Sequence, residues 1–183
     1  MHKKIIIFIT ILILIIGIYG VNKMTGNITG SETKVKLETT QGDIVIQFYD
    51  EMPITSDNFK KLVEQGFYDG VIFHRVIDGF MIQSGDPTGT GMGGPGYKIK
   101  DEFTNTDLDE NNKGTIAMAN AGLNTGGSQF FINLADNNFL DGKHPVFGKV
   151  IEGMDVIDKI AKVSTDSQDK PLKNVVIKKA SLI

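Results

Sequence analysis

Phe73-His74-Arg75-Val76-Ile77-Asp78-Gly79-Phe80-Met81-Ile82-Gln83-Ser84-Gly85-Asp86 is the stretch on which the reading of this chain turns. Two apolar runs, Val71–Phe73 and Phe80–Ile82, read as short strands. Side chains alternate along a strand, so residues 73, 75 and 77 are expected on one face and 74 and 76 on the other. Arg75 then projects among apolar neighbours. It is also the chain's one arginine: of 19 basic residues the others are all lysine.

Working outward, the same rhythm of short apolar runs recurs. Ile44, Ile46 and Phe48 alternate with Val45, Gln47 and Tyr49, and Thr115–Met118, Phe130–Ile132 and Phe147–Val150 read as further strands. Asn174–Ile177, rich in β-branched residues, suits a closing strand. The 21 glycines punctuate these runs, as tight turns require. Two helices interrupt them. Pro53-Ile54-Thr55 opens the first, with Thr55 as the expected N-cap, a Phe59, Leu62, Val63 stripe, and Gly66 as its stop. The second begins near Gly153 and carries Met154, Ile157, Ile160 and Ala161 on one face. Strands with only two helices do not make a βαβ series, so an antiparallel barrel or sandwich with helices at its ends is expected.

The beginning of the chain is different. Lys3 and Lys4 precede a run, Ile5 to Val21, that lacks a polar face. As a helix its 17 residues would span roughly 25 Å, the short end of a membrane span. We expect residues 1–21 to be a retained signal-anchor rather than a cleaved signal peptide, because no site with small residues at −3 and −1 is evident. Residues 22–33 read as a Gly/Thr/Ser/Asn-rich linker and 34–183 as one domain. With the lysines held inside, the domain is expected outside the cytoplasm on a single-pass anchor, or secreted if the segment is cleaved.

Composition excludes several classes. With no cysteine there is no thiol nucleophile, disulfide or thiolate metal site. A net charge of −3 with scattered lysines argues against a nucleic-acid partner. Gly89-Thr90-Gly91-Met92-Gly93-Gly94 matches G-x-G-x-x-G, but Pro95-Gly96 follows where a pyrophosphate-binding helix would have to start, so a glycine-rich surface loop is expected. Asp107–Asn111 hints at a calcium loop but lacks its glycine and its final glutamate. Ser128 lacks the second glycine of a nucleophile elbow. His74 and His144 have no partner spacing for a metal and read as structural or groove-wall residues.

Residues 73–86, 118–132 (Met-Ala-Asn-Ala-Gly-Leu-Asn-Thr-Gly-Gly-Ser-Gln-Phe-Phe-Ile) and 140–150 (Leu-Asp-Gly-Lys-His-Pro-Val-Phe-Gly-Lys-Val) together resemble a cyclophilin-type peptidyl-prolyl cis-trans isomerase. The resemblance runs from about Lys34 to the C-terminus, and the compact Gly89–Gly96 loop resembles the prokaryotic members. It implies a mainly β fold, an eight-stranded antiparallel closed barrel capped by two helices, here preceded by the N-terminal apolar helix. It implies that Arg75 is the catalytic arginine, assisted by Gln83 and Asn120. Phe80, Met81, Phe131 and Leu140 resemble the walls of the proline pocket. Gln129 resembles a further backbone-holding group, with Ala119 and Ala121 beside it, Gly91 near the adjoining pocket, and His144 at the rim. Phe139 stands where the family usually has tryptophan, which implies weaker cyclosporin inhibition with isomerisation retained. The implied partners are proline-containing polypeptides, with the membrane through the N-terminal helix. No cofactor, no metal and no nucleic acid is implied, and the domain is expected to be monomeric. The rival reading is a proline-peptide-binding chaperone module of the same fold with little turnover. Arg75 speaks against it, since a mere binder has no need of a donor at the rotating nitrogen.

Overall fold

The computed structural model describes residues 33–104 and 106–183. The expected N-terminal helix over 1–21 lies outside them. Among the described residues no helix is long and apolar enough to cross a membrane.

Eight strands form one antiparallel sheet: β1 (Lys34–Thr39), β2 (Asp43–Phe48), β3 (Arg75–Ile77), β4 (Met81–Ser84), β5 (Thr115–Met118), β6 (Phe130–Asn133), β7 (Val146–Glu152) and β8 (Ile177–Leu182). Their order is β3-β4-β6-β5-β7-β2-β1-β8. Helices α1 (Pro53–Glu64) and α2 (Met154–Ala161) complete the domain.

The expected closed barrel is corrected to a curled sheet whose ladder stays open between β3 and β8. The cause is local. Strand β3 is only three residues long, and the N–H of its Val76 donates to Asp169 O (2.8 Å) in the loop before β8 rather than to a strand. Upstream, the seam is bridged by the isolated pair Ile72–Val176, flanked by Phe73 N–H to Val175 O (2.9 Å) and Ile177 N–H to Val71 O (2.8 Å). Thus the expected strand at Val71–Phe73 is reduced to one bridge, and the closing strand lies C-terminal to the expected Asn174–Ile177.

The break also changes a side-chain assignment. Phe73 does not share a face with Arg75: it is fully buried in the same interior cluster as Val76. Strict alternation starts only at Arg75, where pairing with β4 begins.

Helix α1 starts at Pro53, whose missing N–H costs nothing at the first helical position. Thr55 is therefore inside the helix and is not its cap. Instead the Glu102 carboxylate, from a distant loop, accepts from the N–H groups of Ile54 (3.2 Å) and Thr55 (3.0 Å). That satisfies two orphan donors and places negative charge at the positive end of the dipole. Gly66 follows the helix at φ 67°, as its expected role requires. Phe59 drives α1 into the interior, stacked on Tyr68 at 4.6 Å and edge-on to Phe130 at 5.3 Å. Val156, Ile157 and Ile160 carry α2 into the same core.

Candidate functional site

The interior cluster takes one face of each strand. The opposite face of five strands carries a second, separate apolar cluster, and the register explains it. Arg75 on β3 faces Gln83 on β4, which faces Phe131 on β6. Phe131 faces Ala117 on β5, and Ala117 faces Val146 on β7. One row of opposed residues thus runs across the outer face, while the neighbours Val76, Ile82, Phe130, Ile116 and Phe147 point into the core. Met81, Ala117, Phe131 and Val146 form the buried floor of an outward hollow. Phe80, Ala119 and Leu140, together with Tyr49 and Ile77, pack around it.

A half-exposed cation stands at one end of this row. The Arg75 side chain is 43% exposed, with its Nε 3.6 Å from Asp169 Oδ2. Beside it the amide groups form a chain. Gln83 Nε2 donates to Gln129 Oε1 (2.9 Å), and Gln129 Nε2 donates to Gly91 O (3.0 Å) and Gly93 O (2.8 Å). On the far side His144 lies edge-on to Phe131, ring centroids 5.4 Å apart, with Nδ1 3.1 Å from Met118 O. Phe139, 63% exposed, stacks on Phe80 at 5.9 Å.

The residues expected at the site therefore separate into two adjoining groups. Arg75, Phe80, Met81, Phe131, Phe139, Leu140 and His144 surround the apolar hollow. Gln83, Gly91, Ala119, Asn120, Ala121 and Gln129 line a neighbouring cleft of about 550 Å³. One expectation is sharpened. The Asn120 amide is turned away from the hollow, with Nδ2 on Lys143 O (2.7 Å) and Oδ1 accepting from Gly122 N–H (3.3 Å). Its main-chain N–H and C=O have no protein partner among the described residues.

The glycine-rich loop is more than open surface. Its N–H groups converge on the fully buried Asp86 carboxylate, which accepts from Thr88 N (2.7 Å), Thr90 N (3.0 Å) and Gly91 N (2.6 Å). The Thr88 and Thr90 hydroxyls add two bonds. Burial alone would raise the Asp86 pKa, but these bonds outweigh it and hold the carboxyl well below the usual carboxylate range. Gly93 must be glycine, because a Cβ there would overlap the Asp86 carboxylate. The chain's own anion thus fills the nest that the G-x-G-x-x-G pattern suggests for a phosphate. Next to it His74 is buried, and among the described residues neither ring nitrogen has a hydrogen-bond partner. Burial pushes its pKa below the ordinary value, against the opposing pull of Asp86.

Sequence reasoning missed several contributors. Ala117 and Val146 were legible in principle, since both stand in or beside the quoted stretches with alternating spacing. Asp86 stood at the end of the opening stretch, but nothing local marks it as a loop anchor. Asn137 bonds Phe80 O (2.8 Å) and Asn133 Oδ1 (2.8 Å) beneath the hollow. Asp169 lies far from Arg75 in sequence. Neither has a local signal.

Comparison with known proteins gives one family. A family model described as "Cyclophilin type peptidyl-prolyl cis-trans isomerase/CLD" matches residues 34–182. A peptidyl-prolyl cis-trans isomerase of Arabidopsis thaliana is 45% identical, over 87% of this chain and 99% of its own length. One from Schizosaccharomyces pombe is 50% identical, over 80% of this chain and 96% of its own. A crystal structure of a Cryptosporidium parvum cyclophilin type isomerase, in the presence of the dipeptide Ala-Pro, superposes with a TM-score of 0.77 at 35% identity, covering 82% of this chain and 98% of that one. These relatives are eukaryotic and lend no support to the expected prokaryotic-like character.

Proposed function

The chain belongs to the cyclophilin-type peptidyl-prolyl cis-trans isomerases, and on that premise we propose that it turns X-Pro bonds by holding the twisted amide against Arg75. The observation that carries the reading is the cross-strand row Arg75–Gln83–Phe131, which puts a guanidinium at the lip of an apolar hollow.

Rotation about a peptide bond is opposed by a barrier of about 18–20 kcal/mol, because the nitrogen lone pair is delocalised into the carbonyl. At X-Pro the two planar isomers differ by only about 0.5–1 kcal/mol, so both are ground states. No covalent bond breaks, and acceleration requires only that the twisted amide be bound better than either planar form. In the twisted state the prolyl nitrogen becomes pyramidal and its lone pair localises, which makes it a hydrogen-bond acceptor. A donor from Arg75 at that nitrogen favours the twist. The proline ring is buried on Met81, Phe131 and Leu140, with Phe80, Phe139 and His144 at its edge. The free main-chain groups of Asn120 hold one flank of the peptide as an added β-like segment, with Gln83 and Gln129 beside it. The other flank turns.

Lysine serves poorly in this role. Its compact, strongly hydrated ammonium lacks the planar fork that presents several donors at once. In an isomerisation assay on the full chain, Arg75→Ala is expected to lower kcat/KM by about 10²–10³-fold, with Arg75→Lys recovering little. Proline-peptide binding stays within a few-fold. Near-wild-type turnover in Arg75→Lys would sink the assignment.

The setting we propose is extracytoplasmic, acting on exported proteins as they fold, on a retained anchor at residues 1–21. Lys3, Lys4 and the apolar run Ile5–Val21 support that reading. N-terminal sequencing of the native protein tests it: a start near Val21 or Asn27 means cleavage and secretion.

A further inference from the structure

We propose that Asp169 is a positioning residue for the reaction: its carboxylate holds the Nε edge of the Arg75 guanidinium so that the terminal nitrogens stay directed at the groove. The inference rests on the reading of Arg75 given above.

Among the described residues Asp169 is the carboxylate paired with the guanidinium, with Oδ2 3.6 Å from Nε. Arg75's partner across the strands, Gln83, is already engaged with Gln129. The loop that carries Asp169 is built for rigidity. Asp166 Oδ1 accepts from the N–H groups of Gln168 (2.8 Å) and Lys170 (3.0 Å). Asp166 N–H donates to Lys170 O (2.8 Å), and Asp169 N–H donates to Asp166 O (3.1 Å). Lys170 Nζ then ties the loop to Gly89 O (3.0 Å) in the glycine-rich loop. Asp169 itself sits at φ 62°, a left-handed conformation that Asp, Asn and Gly tolerate. Its carbonyl takes the Val76 N–H at 2.8 Å, so the loop is fixed to the residue next to Arg75.

Both side chains are a little over two-fifths exposed, at 43% and 44%. Such a pair adds little to fold stability. Its effect lies in orientation. An arginine side chain has many rotamers, and a negative charge held beside Nε favours those that leave the outer nitrogens free. At 3.6 Å the contact is an ion pair rather than a hydrogen bond.

The chain's single arginine makes the test clean, because it supplies the only arginine Nε–H signal in a ¹⁵N spectrum. Asp169→Asn and Asp169→Gly both keep the left-handed turn and remove the charge. Expected in the full-length protein are an unchanged melting temperature, KM within twofold, and kcat lower by about tenfold, in line with the cost of small misplacements. The Nε–H peak should shift and exchange faster with solvent. Wild-type kcat in Asp169→Asn, or an unmoved peak, overturns the proposal. Arg75→Ala run alongside separates the two readings. If it is inactive while Asp169→Asn keeps full kcat, positioning alone fails. If it is as active as wild type, the arginine reading fails and takes this one with it.

Discussion

Removing the anion at the centre of the glycine-rich loop should unfasten one wall of the groove. Asp86 is fully buried and accepts five hydrogen bonds, three from main-chain N–H groups and two from hydroxyls. The hydroxyls of Thr88 and Thr90 are on exposed residues and can turn to water, so they count for little. Three bonds from N–H to carboxylate, at about 1–1.5 kcal/mol each, give roughly 3–4.5 kcal/mol for Asp86→Ala. Asp86→Asn keeps one oxygen but aims an amide N–H₂ at main-chain donors, so about 1–2 kcal/mol is expected. Urea unfolding at constant m-value reads both. Because Gly91 O and Gly93 O hold Gln129, kcat/KM should fall several-fold as well. The pH dependence has a definite sign. The bonds lower the carboxyl's pKa in the folded state against about 3.9 in the unfolded chain. Their contribution is therefore complete above the unfolded value and is lost progressively as pH falls from there through the depressed folded-state value. The stability gap between wild type and Asp86→Asn should begin to narrow near about pH 5 and keep narrowing as pH falls toward the depressed folded-state value. Both variants lying within about 0.5 kcal/mol of wild type at pH 7, or a gap flat with pH, would refute the reasoning.

Two further outcomes follow from the rim of the hollow. Asn137, 4% exposed, is bonded to Phe80 O and Asn133 Oδ1; Asn137→Ala should cost about 1–3 kcal/mol in urea unfolding, because the buried Asn133 Oδ1 loses its donor while Phe80 O keeps the N–H of Leu134, and should raise KM as Phe80 loosens. Phe139 offers a flat apolar ring without the indole N–H donor of tryptophan; the wild-type protein should be weakly inhibited by cyclosporin and Phe139→Trp more strongly, with peptide turnover little changed, whereas nanomolar inhibition of wild type would show that the donor does not matter.

What could be read from the sequence was whatever depends on neighbours in sequence. Period-two alternation placed Arg75 on a face apart from His74 and Val76, and the apolar stripe of Phe59, Leu62 and Val63 oriented α1. These are consequences of strand and helix geometry at a single residue spacing. The expectation failed at Phe73, two residues before Arg75, where the chain has not yet entered the ladder. A break in pairing has no composition of its own. Thr55 looked like a cap because Ser, Thr, Asp and Asn usually are. Pro53 can open the helix earlier only because Glu102, nearly fifty residues on, bonds the first free N–H groups.

The same division runs through the site. The row Arg75–Gln83–Phe131–Ala117–Val146 joins five strands from three separated stretches, and its register is fixed by pairing rather than by order in the chain. Motif resemblance named three of its members, Arg75, Gln83 and Phe131, without saying that they form one line. Resemblance said still less of the groups that hold them: Asp86 under the glycine-rich loop, Asn137 under Phe80, and Asp169 beside Arg75. Each acts on a main chain or a side chain from elsewhere in the fold. Arginine makes the point most sharply. This lysine-rich chain keeps its one arginine at the lip of the hollow, where the proposed role calls for a fork-shaped, permanent cation. A fork is useful only when it is aimed, and in the proposed arrangement the aim comes from a residue 94 positions away, on a loop whose turn is set by its own acceptor, Asp166. Nothing adjacent to Arg75 carries that information, so it becomes visible only when the sheet has curled and brought the two ends of its open seam together.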